Sequence, residues 1–124
     1  MSKVLLSIIE LGGYPNFKPL YESFGYEVVV HSSMRKALSL LKKTDVSVIV
    51  AEFNYQHTFR DRISSLESLI AVVQQKKDTK LIVLYELEYE NHFDKLRAQC
   101  DFNAEIAFPV DEQKMRKALQ EVTA

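Results

Sequence analysis

Five short apolar runs, each followed by a stretch of helical period, constrain this chain more than any other feature. Val4–Ile9 is nearly continuously apolar, as expected of a strand covered on both faces. Pro15 and Asn16 then open a helical stretch. Phe17, Leu20, Tyr21 and Phe24 recur on one face of it, with Pro19 in the first turn and Gly25 as the stop. Tyr26–His31, built around Val28, Val29 and Val30, predicts the second strand. Ser32 or Ser33 caps the next helix, whose apolar face is Met34, Ala37, Leu38 and Leu41. Lys42 and Lys43 close it, where positive charge suits the helix dipole. The third strand is Val46–Ala51, and Ser64-Ser65-Leu66-Glu67 reads as a capping box for a helix with Leu66, Leu69, Ile70 and Val73 inward. Lys80–Tyr85 is the fourth strand and Tyr89–Gln99 the fourth helix, with Phe93 and Leu96 facing the core. Ala104–Phe108 is a short fifth strand. Asp111 caps the last helix, with Met115, Ala118, Leu119 and Val122 inward.

Strands alternating with helices in this way require a parallel sheet joined by right-handed crossovers and covered on both faces. The expected fold is α/β: a doubly wound five-stranded parallel sheet, flavodoxin-like, in the order 2-1-3-4-5. The 124 residues suit a single domain spanning 1–124. Sixteen Lys and Arg against seventeen Asp and Glu leave a net charge of −1, so no global field favours nucleic acid or an anionic membrane. Three glycines supply no phosphate-cradling loop of the P-loop or Rossmann kind. A single cysteine, Cys100, excludes an internal disulfide framework and a Cys-based zinc site. His31, His57 and His92 lack helical metal spacing, so neither a metal nor a cofactor is expected. No apolar run approaches the roughly 20 residues that span a bilayer. The opening Met1-Ser2-Lys3-Val4 reads as the approach to a strand and not as a signal peptide. The expectation is a soluble, reduced, cytoplasmic domain.

In such sheets functional groups lie beyond the carboxyl ends of the strands. The first strand ends in Ile8-Ile9-Glu10, the third in Ala51-Glu52-Phe53, the fourth in Leu84-Tyr85-Glu86 and the fifth in Ala107-Phe108-Pro109. With Lys3-Val4-Leu5-Leu6, Phe24-Gly25-Tyr26-Glu27-Val28, Ala37-Leu38-Ser39-Leu40-Leu41 and Lys80-Leu81-Ile82-Val83-Leu84 in the same order and spacing, the chain resembles receiver domains of bacterial two-component response regulators from Lys3 to Val122.

That resemblance implies a phosphorelay module, yet the family's chemistry does not carry over residue by residue. The acidic pair that holds Mg²⁺ after the first strand is matched by Ile8 and Ile9 with Glu10 next, or by Ile9 and Glu10 if the strand is slid by one residue; either way at most one residual acid remains, Glu10. Magnesium demands several hard oxygen ligands, so one carboxylate fewer weakens such a site severely. The phosphoaccepting aspartate is matched by Glu52, whose longer side chain reaches past the attacking position and places a fixed charge near where an aspartyl phosphate would sit. The hydroxyl residue of the fourth strand is matched by Tyr85. The lysine of the fifth is matched by Phe108, removing a cation that stabilises a phosphoryl group. Pro109 is retained, which makes Phe108-Pro109 a candidate cis bond. The rings of Tyr85 and Phe108 are expected to fill the space a phosphate pocket would occupy.

The resemblance thus points to a degenerate receiver, a pseudo-receiver without catalytic residues, acting by protein–protein interaction independently of aspartyl phosphorylation. Its partners would be proteins of a bacterial signalling pathway. Tyr89 and His92 mark a candidate interface on the face of the fourth helix, fifth strand and fifth helix, a face suited to homodimers. Tyr55, Phe59 and Arg60 mark a second, in a segment long for a βα connection. Two alternatives stay open on sequence: a flavodoxin-like small-ligand or phosphate-binding protein using Gly12-Gly13, and an atypical receiver that still accepts phosphate.

Overall fold

The computed structural model describes residues 3–9, 16–53, 66–76, 78–98 and 102–123. In chain order the elements are β1 (Lys3–Ile8), α1 (Lys18–Ser23), β2 (Tyr26–His31), α2 (Met34–Lys43), β3 (Val48–Glu52), α3 (Leu66–Val73), β4 (Lys80–Tyr85), α4 (Glu90–Arg97), β5 (Ala104–Ala107) and α5 (Glu112–Thr123). All strand pairs are parallel, in the order β2-β1-β3-β4-β5. Ile8 lies beside Ala51, Glu52 beside Leu84, and Tyr85 beside Ala107. This register aligns the carboxyl ends of the four strands that carry the candidate site.

Side-chain alternation divides the sheet between two cores. Leu6, Ile8, Ile49, Ala51, Leu81 and Val83 face α2, α3 and α4, packing with Leu41, Leu69 and Phe93. Leu5, Val48, Val50, Ile82 and Leu84 face α1 and α5, packing with Leu20, Tyr21, Met115 and Leu119. Local chemistry sets the helix ends. Ser33 Oγ accepts from the Lys36 amide at 3.1 Å and Asp111 Oδ1 from the Lys114 amide at 2.8 Å, each satisfying a donor that the first helical turn leaves open. Gly25, at φ +89°, turns the chain from α1 into β2.

Several boundaries differ from the sequence expectation. β1 runs Lys3–Ile8 instead of Val4–Ile9, and β3 runs Val48–Glu52 instead of Val46–Ala51, with the Val46 carbonyl accepting the Thr79 hydroxyl at 2.7 Å. Tyr89 ends a 3-10 turn, Leu87–Tyr89, and α4 begins only at Glu90 and ends at Arg97. β5 ends at Ala107, and Phe108 precedes a cis bond to Pro109, whose ring nitrogen has no hydrogen to continue a ladder. The predicted capping box at Ser64-Ser65 lies outside the described residues.

Candidate functional site

At the end of β1, Ile8 is fully buried in the α2–α4 core, and Ile9 is half-buried with its amide donating to the His31 carbonyl at 3.0 Å. Both positions matched to the acidic pair are therefore engaged in packing and pairing. Glu52, the last residue of β3, is 2% exposed and has a partner within the fold. Alternation with Val48 and Val50 assigns it to the α1–α5 side of the sheet. Beyond it, the Phe53 amide donates to Leu84 O at 2.7 Å and the Phe108 amide to Tyr85 O at 2.8 Å, holding the strand ends together. Glu10 lies outside the described residues, as do Tyr55, Phe59 and Arg60. Among the described residues, no group of three or more His, Cys, Asp or Glu is placed to hold a metal ion.

Tyr85 and Phe108 do not share one space. Tyr85, 8% exposed, joins the α2–α4 core, whereas Phe108 packs, half-buried, against the α1–α5 core. The expectation that both rings fill a common vacated pocket is corrected: they lie one position apart in register on adjacent strands, so alternation sends them to opposite faces. The cis Phe108-Pro109 bond is present.

The Tyr85 ring instead belongs to an aromatic cluster centred on Phe93. Phe93 is fully buried, with ring centroids of Tyr85, Phe53 and Phe102 at 4.6, 5.1 and 5.3 Å. The Arg97 guanidinium caps this cluster, 4.6 Å from the Phe93 centroid and 5.1 Å from that of Tyr85. It also donates to Glu105 of β5 at 2.8 and 3.0 Å, lies 3.4 Å from Glu90 and pairs with Asp94. The hydrogen bond to Glu105 is the main reason its pKa is raised, partly opposed by desolvation and reinforced by Asp94 and Tyr85. Arg97 thereby ties α4 to the edge strand β5. Sequence reasoning missed it, although Glu90, Asp94 and Arg97 stand at intervals that put them on one helix face.

Tyr89 and His92 are both half-buried, and Tyr89 packs against the α2–α4 core. Leu87, which sequence reasoning also passed over, is the exposed apolar residue of this surface at 61%. A groove of about 310 Å³ lies between β5 and α5, lined by Glu105, Ala107, Lys114 and Lys117 among others. On the opposite face, Ser7 is buried and hydrogen-bonded to the Tyr21 hydroxyl. Burial holds the Tyr21 phenol well above its ordinary pKa, and the Ser7 bond offsets only part of that rise.

No family model matches the chain, and no curated protein matches it. Solved structures do. The chain is similar to a response regulator receiver domain protein from Clostridium thermocellum, at 18% identity and TM-score 0.73 over 99% of this chain and 94% of that one. It is similar to the signal receiver domain of an HD domain-containing protein from Pseudomonas fluorescens Pf-5, at 16% identity and TM-score 0.75 over 98% and 94%. The chain has the receiver-domain fold. A third neighbour is the Vibrio cholerae chemotaxis protein CheY4, at 20% identity and TM-score 0.70 over 98% of this chain and 99% of that one. No helix among the described residues is long and apolar enough to cross a membrane.

Proposed function

We propose that this chain is a receiver-like signal-transduction module that works by protein–protein interaction and independently of aspartyl phosphorylation. The carrying observation is the make-up of the strand ends. Ile8 is fully buried and Glu52 is a buried carboxyl. The resemblance to receivers matches Ile8 and Ile9 to the metal-binding acids, Glu52, one methylene longer, to the phosphoaccepting aspartate, and Phe108 to the lysine that stabilises the phosphoryl group, which supports this reading. On this reading Glu52 occupies the phosphoacceptor position without taking up a phosphoryl group, and the chain is not an enzyme. The partner is a protein of a bacterial signalling pathway. The α4–β5–α5 face, with exposed Leu87 and half-buried Tyr89 and His92, is the proposed surface for it or for a second copy. Incubation with Mg²⁺ and a small phosphodonor such as acetyl phosphate, followed by intact-mass measurement, tests the reading. An unchanged mass is expected, and stoichiometric gain of a phosphoryl group overturns it.

A further inference from the structure

The structure points to a second docking surface, on the opposite edge of the sheet from β5. Among the described residues, β2 is the terminal strand on that side and its outer backbone edge has no strand partner. α3 packs against α2, and α2 with the end of β2 lines a cavity of about 540 Å³. Its wall is a helical stripe, Ser33, Lys36, Leu40 and Lys43, joined by Arg35 and by His31 of β2. Among the described residues no acid lines it, and α2 carries four cations and no acid in its ten residues. Among the described residues, none of Arg35, Lys36 or Lys43 forms an ion pair, whereas Arg97 and Arg116 do. Val30, at the same edge but on the other face of the sheet, is 50% exposed.

We infer that this edge docks an acidic, extended segment of a partner protein, added as a further strand beside β2. An added strand alternates its side chains as β2 does. Every second residue then falls on the α2 side, facing Lys36 and Lys43, and the residues between fall on the side of Val30. Carboxylates suit the first set and apolar side chains the second. The three cations are all exposed, which suits a segment lying across the surface better than a small ligand, since small-ligand sites enclose most of the molecule they bind. Backbone hydrogen bonds along β2 give the affinity and the α2 cations select the charge. The surface uses none of the strand-end residues, so it stands or falls separately from phosphate independence.

An acetylated peptide of alternating Glu and Val, titrated into the isotope-labelled chain, tests this by amide chemical shifts. Saturable shifts confined to Glu27, Val28, Val29, Val30 and His31 of β2 and to Ser33, Lys36, Leu40 and Lys43 are expected, with no response to the matching Lys-Val peptide. The Lys36→Glu/Lys43→Glu variant should bind at least about tenfold more weakly, with unchanged circular dichroism. If that variant misfolds, Lys36→Ala/Lys43→Ala gives the same reading. Absence of saturable shifts, shifts mapping elsewhere, undiminished binding by the variant, or an equally strong response to tripolyphosphate would each overturn the proposal.

Discussion

Phe93→Ala probes the packing that holds the α4 surface in place. The ring is fully buried and meets Tyr85, Phe53 and Phe102 with centroids between 4.6 and 5.3 Å, while Arg97 covers it at 4.6 Å. Truncating a buried phenylalanine to alanine costs about 3–5 kcal/mol. Aromatic pairs add roughly 0.5–1.5 kcal/mol each beyond area, although three pairs sharing one ring do not sum. Phe53 and Tyr85 stand at the ends of β3 and β4 within the paired sheet, so the cavity closes poorly and the upper part of the range applies, about 4–5 kcal/mol. Against a domain stability of about 5–15 kcal/mol, that removes from about a third to all of it. With a urea m-value of about 2 kcal/mol/M, the unfolding midpoint should fall by about 2 M. Phe93→Leu keeps most of the volume and should cost under about 1.5 kcal/mol. A loss below about 1 kcal/mol for Phe93→Ala at unchanged m-value would refute the view of Phe93 as the hub of this core.

Tyr21 gives a pH dependence. Its folded pKa is raised by burial, so its contribution is complete below the ordinary phenol value of about 10 and is lost as pH rises from there through the folded pKa. Thermal stability should therefore decline above pH of about 10, and Tyr21→Phe should decline less steeply; identical slopes would remove Tyr21 as the cause. Gly25→Ala adds a Cβ that meets nothing within 4 Å, so only the backbone at φ +89° resists it. A cost of about 1–2 kcal/mol by urea unfolding is expected. Ser33→Ala removes the acceptor for the Lys36 amide and should cost about 1 kcal/mol, read as a lowered melting temperature.

The sheet was legible in the sequence because its signals are local and agree. β2 and β4 begin and end at the predicted residues: Gly25 fixes the start of one, and the charged Lys80 and Glu86 bound the apolar run of the other. The cap at Asp111 was equally plain and that of α2 was narrowed to Ser32 or Ser33, since each cap depends on one side chain and an amide three residues on. What stayed hidden is set by contacts distant in sequence. The Val46 carbonyl meets the Thr79 hydroxyl, thirty-three residues away, a contact no local pattern announces. The parting of Tyr85 and Phe108 follows from the β4–β5 register, which no single segment encodes. Arg97 draws its role from Glu105 on another element and from rings that meet only in the fold. At the strand ends the residue types were readable, while the burial of Glu52 was not, because it takes the neighbouring strands to cover it.

On the proposed function, packing replaces phosphate chemistry at the carboxyl ends of β1, β3, β4 and β5. Beryllofluoride with Mg²⁺ mimics a phosphoryl group on a receiver aspartate, and the amide spectrum of the labelled chain reports whether it binds. No saturable shift at Ile8, Ile9, Glu52, Phe53, Tyr85 or Phe108 and an unchanged melting temperature are expected. A saturable shift at Glu52 and its neighbours, accompanied by a rise in melting temperature, would contradict the proposed function.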